Sequence, residues 1–371
     1  MIILYTTIIL YLFYSLLIIY YWQAWKSIPN YSMSLPSQQT KISIIIAARN
    51  EEKNIGALLQ ALKGQTYPEE LVEVIVVDDH STDATVAIAR QFPRIKLIQL
   101  KEDNLNSYKK KAIETGIASA TGDLIVTTDA DCMPSPDWLT TIVAFRDEKQ
   151  SVFIAAPVTF TNDNSLLQIF QSIDFLVLQG ITGASVFKNS HSMCNGANLA
   201  YEKTAFDKVN GFAGIDNIAS GDDMLLMHKI WKQYPGRIHY LKSKAAIVTT
   251  QPMKTWKTFF NQRIRWASKA KNYDDKRIIA VLLLVFLLNF SFLVLAVAGF
   301  WCYHYWLYLA GLWFLKVIVE LPFVSSVASF FNKQALLNYF FFFQPLHIIY
   351  TIVSGLFGQI GKYEWKGRRV N

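Results

Sequence analysis

The side chains with chemical potential in this chain are carboxylates placed in turns. Asp129-Ala-Asp131 follows directly on the apolar run Leu124-Ile-Val-Thr127. Two carboxylates one residue apart, in a bend after a strand, can face one hard divalent cation and leave its other positions to phosphate oxygens and water. An all-carboxylate set suits Mg2+ or Mn2+. Asp78-Asp79 closes a second apolar run, where a carboxylate can accept a hydrogen bond from a nucleobase N–H. Gly221-Asp222-Asp223 opens a helical pattern through Trp231, and a carboxylate there could act as a general base. A fourth group, Gln262-Arg-Ile-Arg-Trp266, sets Gln262, Arg265 and Trp266 at i, i+3 and i+4, on one helical face. The Arg265 fork could clamp a diphosphate. Taken singly, each group has a bland explanation: a solvated turn, a capping turn, a carboxylate at a helix N-terminus, or a helix lying on a membrane.

The elements around them alternate. Lys41–Ala48, Glu73–Val77, Ile95–Leu100 and Asp123–Thr127 read as short buried strands. Helical spacing occupies Asn50–Leu62, Ala84–Gln91 and Lys110–Ala120. Strands and helices joined by short links predict an α/β, doubly wound, mostly parallel sheet. Such sheets bind ligands at the C-terminal ends of their strands, where the acidic clusters sit.

Both ends of the chain have another character. Of 371 residues, 52% are hydrophobic and only 17% charged, against roughly 25% charge in soluble chains. This excludes a disordered chain, a small disulfide scaffold and an ordinary soluble enzyme. Residues 1–25 hold no charge and read as an uncleaved transmembrane anchor, with Tyr20, Tyr21, Trp22 and Trp25 as an interfacial belt. Residues 26–40 read as a linker, 41–253 as the catalytic domain, 254–277 as an interfacial amphipathic helix, and 278–371 as a C-terminal membrane region of two or three hydrophobic segments. Ile278–Trp301 is the clearest span there. Tyr303–Ser325 carries Lys316 and Glu320 at i,i+4, best read as a mutually satisfied pair. Tyr339–Phe357, interrupted by Gln344, Pro345 and His347, reads as re-entrant or interfacial. Ser165–Phe187 reads as a helix against the membrane.

The stretch before Ile278 is strongly basic, with Lys254, Lys257, Arg263, Arg265, Lys269, Lys271, Lys276 and Arg277 against Asp274 and Asp275, interleaved with aromatics. Beside a span, this favours anionic lipid over nucleic acid as the partner. Positive charge inside places residues 26–277 in the cytoplasm and Met1 outside. The basic tail, Lys362, Lys366, Arg368 and Arg369, also belongs inside by that rule. Cys132, Cys194 and Cys302 lack metal or disulfide spacing and fit a reducing compartment.

Taken in order, these pieces resemble the membrane-bound family 2 glycosyltransferases of GT-A fold, from about Lys41 to Trp266. The resemblance implies an inverting transfer from a nucleotide sugar, a UDP-sugar first among them, with Mg2+ or Mn2+ as cofactor. It implies that Asp78 or Asp79 contacts the base, with Arg49, Glu51 and Lys109 on the nucleotide sugar, and that Asp129 and Asp131 hold nucleotide and metal. It implies Asp223 as base and Arg265 as the catalytic cation on the diphosphate. Gly196, Asn198, Asp222, Gln262 and Trp266 fall on the acceptor and diphosphate side. Two positions depart from the family pattern: Tyr108 stands where a Gly often precedes the Lys, and the base motif reads Gly-Asp-Asp rather than Glu-Asp.

The expected partners are a nucleotide-sugar donor, a membrane lipid acceptor and the bilayer, with a homo-oligomer left open. The expected location is a cytoplasmic (inner) cell membrane, multi-pass, with the catalytic domain cytoplasmic. A processive polysaccharide synthase is the alternative within the class. A non-catalytic nucleotide-binding membrane sensor is the alternative outside it.

Overall fold

The computed structural model describes residues 1–371 apart from 33–38, 104, 162–163, 219, 361–362, 366–367 and 371. Part of the 26–40 linker, and Lys362 and Lys366 of the tail, therefore lie outside the described residues. The chain divides into a helical unit (Met1–Ile28, Asn162–His191, Pro252–Tyr363) and a sheet unit made of the remaining stretches.

The sheet unit begins with β1 (Ile42–Ala48), α2 (Ile55–Lys63), β2 (Val72–Asp78), α3 (Thr85–Ala89), β3 (Ile95–Gln99), α4 (Tyr108–Ala118) and β4 (Leu124–Thr127), after α1 (Ile2–Ser27) of the helical unit. Then come β5 (Met133–Pro134), α5 (Trp138–Lys149), β6 (Phe153–Ala155) and β7 (Val158–Phe160). After α6 (Leu166–Phe187) the unit resumes with β8 (Leu199–Glu202), α7 (Lys203–Lys208), α8 (Met224–Gln233), β9 (Ile238–Tyr240) and β10 (Val248–Thr250). The main sheet runs β3-β2-β1-β4-β8-β6-β9. β3, β2, β1 and β4 are parallel, as the alternation predicts. β8 is antiparallel to both β4 and β6. The sheet is thus mixed, mostly parallel, with one reversed strand.

Continuous apolar runs form the central strands because both faces are covered: Ile44, Ile45, Ile46, Ile75, Val76, Val77, Ile125 and Val126 are all buried. The first helix starts five residues later than its spacing suggests. Asn50 takes a left-handed φ of 51° and the following residues turn before Ile55. One clasp fixes the N-terminal edge of β1, β2 and β4. The Glu73 carboxylate accepts from the Ser43 hydroxyl, the Thr121 hydroxyl at 2.9 Å and the Gly122 N–H at 3.1 Å. A side chain at Gly122 would come within 2.6 Å of the Ser43 backbone. Burial by itself raises the Glu73 pKa, but these donors outweigh it and hold the carboxyl below its ordinary range.

The helical unit holds α1, α6, α9 (Trp256–Ser268), α10 (Lys276–Ala298), α11 (His304–Phe330) and α12 (Leu337–Ile360). The short strands β11 (Tyr363–Trp365) and β12 (Arg368–Val370) close the chain. Among the described residues, five helices are long and apolar enough to cross a membrane: α1, α6, α10, α11 and a stretch from Gln334 through α12. Tyr339–Phe357, read as re-entrant or interfacial, lies within a single helix. α12 is one helix with Pro345 inside it. Its neighbours lie close: a side chain at Gly180 of α6 would meet Phe323 and Val327 of α11 within 2.7 Å.

Candidate active site

The C-terminal ends of the parallel strands carry the predicted acids. Asp78 is the last residue of β2 and is buried, with both oxygens 3.3 Å from the Ser81 N–H. It closes the turn. Asp79, also buried, lies one residue on, with His80 Nδ1 3.0 Å from its Oδ1. Arg49, just past β1, reaches the same turn. Its Nη1 donates to the Asp79 carbonyl at 2.8 Å and the His80 carbonyl at 3.2 Å, and lies 3.8 Å from the Asp79 carboxylate. Glu51 accepts from Asn54 Nδ2 at 2.7 Å, so that carboxylate shapes the turn into α2.

The acids past β4 meet those before α8 through one ammonium. Lys109, in the first turn of α4, lies 2.7 Å from Asp129 Oδ1 and 3.2 Å from Asp222 Oδ2. Burial disfavours its charge, but Asp129 and Asp222, with Asp223 nearby, outweigh that and raise its pKa above the ordinary lysine value. Asp223 caps α8: its Oδ1 accepts the Met224 N–H at 2.7 Å and its Oδ2 the Gly196 N–H at 3.3 Å. A Cβ at Gly196 would sit 3.2 Å from Asp222 Oδ2 and 3.4 Å from Lys109 Nζ, so those side-chain ends would have to give by a few tenths of an ångström. Lys109, Asp129, Asp222, Asp223 and Gly196 therefore form one cluster in the sheet unit.

Residues 43–209 match the family described as Glycosyl transferase family 2. This stretch is a family 2 glycosyl transferase domain. The chain is 29% identical over 249 residues to a probable glycosyltransferase YdaM of Bacillus subtilis, covering 65% of this chain and 58% of that one. It is 33% identical over 109 residues to a beta-monoglucosyldiacylglycerol synthase of Synechocystis, covering 28% of this chain and 22% of that one. The chain thus spans less than two thirds of the length of these relatives. The mannosyltransferase PcManGT from Pyrobaculum calidifontis, solved with GDP-Man and Mn2+, superposes with a TM-score of 0.64 at 19% identity, over 96% of this chain and 97% of that one. The fold is GT-A, with helices apolar enough to span a membrane at both ends.

Within the family 2 domain, Asp129 and Asp131 offer a divalent ion an all-oxygen donor set. Among the described residues, no group of three His, Cys, Asp or Glu side chains gathers as a metal site. Two carboxylates that leave the remaining positions to phosphate oxygens and water fit Mg2+ or Mn2+. Cys132 beside them is buried; burial, then Asp131 and Asp129, push its thiol well above the ordinary range, so it stays a neutral packing residue.

Asn198 requires a correction. It is fully buried, and its amide accepts from Trp138 Nε1 at 2.9 Å and donates to the carbonyls of Pro157 and Ala246, each at 2.8 Å. Those three partners use it as a strut between α5, β7 and the stretch before β10, not as a pocket wall.

Gln262, Arg265 and Trp266 lie on α9, in the helical unit. Two of them serve Arg263, which the sequence reading places in the basic stripe. Arg263 is buried, donates to Asp174 Oδ2 at 2.7 Å and to Gln262 Oε1 at 2.9 Å, and its guanidinium carbon lies 4.2 Å from the Trp266 ring centre. Arg263 and the buried Lys269 are therefore not lipid-facing charges, and the expected basic stripe is reduced to its other members. The sequence reading also missed Lys110. Its buried ammonium donates to the carbonyls of Ile215 at 2.8 Å, Ile218, and Ser220 at 2.9 Å, the segment that leads into Asp222. The only sequence signal for it is adjacency to Lys109.

Proposed function

We propose that this protein is an inverting glycosyltransferase that moves a sugar from a nucleotide sugar, a UDP-sugar first among them, to the hydroxyl of a membrane lipid. The observation that carries this reading is the Lys109 ammonium shared between Asp129, past β4, and Asp222, before α8. It joins a donor-side acid and an acceptor-side acid in one cluster.

In this reading Asp79 accepts a hydrogen bond from the base, and Arg49 holds the turn that presents it. Lys109 offers positive charge beside the sugar diphosphate. Asp129 and Asp131 would hold Mg2+ or Mn2+, whose charge offsets that of the departing diphosphate. Asp223 takes the proton of the acceptor hydroxyl as its oxygen bonds to the anomeric carbon. The bond from that carbon to the diphosphate oxygen breaks, and the nucleoside diphosphate leaves. A side chain at Gly196 would press on Asp222 and Lys109. Arg265 is assigned to the diphosphate on the motif alone.

The five apolar helices support a membrane setting, with the sheet unit cytoplasmic and Met1 outside. α6 is an exception to crossing. Strands before it and strands after it pair in the same sheet (β4 with β8, β7 with β10), so both its ends belong on one side. The helices left to cross are α1, α10, α11 and α12; the end of the chain from Glu364 belongs to the sheet unit, so a cytoplasmic tail requires that one of α11 and α12 does not cross.

Incubation of the purified protein in lipid with Mn2+ and a panel of UDP- and GDP-sugars tests the reaction, with mass spectrometry of the lipid extract. A lipid heavier by one hexose-type unit is expected. Release of nucleotide without any glycosylated lipid, or no reaction with any donor, overturns the proposal. Calorimetry of UDP with and without Mn2+ tests the metal separately: affinity should fall at least ~10-fold without it, and less in Asp131→Asn, which has already lost a ligand.

A further inference from the structure

The helical unit encloses a cavity of about 40 Å3 that the proposed chemistry does not use. Each surrounding helix contributes one face at helical spacing: Tyr14 and Ile18 from α1, Phe170 through Val177 from α6, Glu320 through Val324 from α11, Phe340 through His347 from α12. Most of the lining is aliphatic or aromatic. Its polar members are Tyr14, Asp174, Glu320, Gln344 and His347.

The charges behind this lining are arranged asymmetrically. Lys316 lies 2.6 Å from Glu320 and donates to Gln344 Oε1 at 2.6 Å, and Gln344 Nε2 donates to the other Glu320 oxygen at 2.6 Å. The Tyr14 hydroxyl also donates to Glu320. Asp174 is held by Arg263 and by the Tyr350 hydroxyl. The two acids line the cavity, while Lys316 and Arg263 do not. Each cation cancels the charge of its acid from outside the lining. The cavity therefore has an apolar wall and hydrogen-bond acceptors of carboxylate type, with no cation for an anionic head group to meet. His347, which lines the same cavity, has a buried Nδ1 with no hydrogen-bond partner.

We propose that this cavity takes the hydroxyl end of an uncharged membrane lipid, and excludes lipid phosphates and carboxylates. A hydroxyl donates one hydrogen and accepts others, so it can serve a carboxylate oxygen and the histidine ring together. A volume of about 40 Å3 admits two or three water-sized groups, enough for a hydroxymethyl end. A phosphate placed there faces Asp174 and Glu320 with their cations turned away, a like-charge arrangement that interfaces select against. The assignment goes beyond the proposed reaction and does not rest on it: a hydroxyl held here is not the one that Asp223 deprotonates. Diacylglycerols and long-chain alcohols share that chemistry.

The experiment reads binding and transfer separately. The full-length protein in mixed micelles is exposed to equimolar diacylglycerol and phosphatidic acid, then to a polyprenol and its monophosphate, and retained lipid is weighed by native mass spectrometry. The hydroxyl lipid of at least one pair should be retained at least tenfold over its phosphate. Val177→Phe, which fills the cavity, should abolish that retention while UDP binding by the sheet unit persists. If Val177→Phe does not fold, a photoreactive diacylglycerol or polyprenol on the natural chain should label peptides containing Phe170–Val177 or Phe340–His347. Equal retention of both head groups, preference for phosphate, indifference to Val177→Phe, or labelling confined to other peptides overturns the assignment. Selective retention without sugar transfer from any donor leaves the cavity assignment standing and removes the proposed reaction.

Discussion

Replacing Lys110 with methionine should loosen the segment 215–220 and, through it, the acids that follow. The ammonium donates to three carbonyls of that segment and is buried. A hydrogen bond from a charged group contributes about 1.5–3 kcal/mol, so three give roughly 5–9 kcal/mol before costs. Burying the ammonium costs several kcal/mol, which methionine relieves, and the exposed carbonyls recover water once the segment opens. The net expectation is about 3 kcal/mol lost from local stability, which corresponds to roughly 10²-fold faster opening. Amide hydrogen exchange on peptides spanning 211–222 reads this directly, without assuming that a two-unit membrane protein unfolds in one step. The neighbour provides the contrast. Lys109→Met removes the ion pairs to Asp129 and Asp222 but touches none of those carbonyls, so exchange across 215–220 should stay within threefold while turnover falls by about 10²-fold. If Lys110→Met leaves that exchange within threefold of the natural chain, the ammonium is not what holds the segment. If both variants show the same exchange pattern, the division of labour between the two lysines is wrong.

Asp223→Asn should preserve α8, because asparagine caps as well as aspartate, yet lower kcat by ~10²-fold or more with UDP-sugar binding retained; turnover near the natural level would leave Asp223 a helix cap only. The Glu73 clasp should be sensitive to acid. Its folded pKa is lowered, so its contribution is complete above the unfolded value near 4.3 and is lost as the pH falls through the depressed folded value. Exchange at Thr121 and Gly122 should therefore accelerate below about pH 4 in the natural chain, whereas in Glu73→Gln it should already be fast at neutral pH and show no such step. Arg265→Ala should depress kcat equally in anionic and neutral bilayers, while Lys254→Ala with Lys257→Ala, both exposed, should matter only in anionic ones; matching behaviour would make α9 a lipid-binding element rather than a catalytic one.

What could be read from the sequence follows from how locally each feature is decided. β1, β2 and β4 were legible because strands covered on both faces are unbroken apolar runs, and the acids at their ends are adjacent in the chain. The four-residue β8 was not, since its direction is set by what precedes it rather than by its own residues. Lys316 and Glu320 announced their pairing by spacing, but nothing local linked them to Tyr14 or Gln344. The burial of Arg263 and Lys110 was not legible because their partners, Asp174 and carbonyls in the stretch from Ile215 to Ser220, lie 89 and more than 100 positions away. Asn198 looked like a ligand contact for the converse reason: its three partners are invisible until the chain is folded.

The Lys316–Glu320 pair also bears on how the helical unit is built during synthesis. A lone lysine or glutamate near the middle of a nascent span adds roughly 2.5–3.5 kcal/mol to the cost of insertion. Here the two charges lie one turn apart on α11 and can cancel within that helix. α11 can thus leave the translocation channel before α12 has been synthesised. Tyr14, on the helix made first, is already waiting, and Gln344 arrives last to occupy both partners. In a chain whose α11 spans the bilayer, assembly in chain order would then hold no exposed charge there between steps.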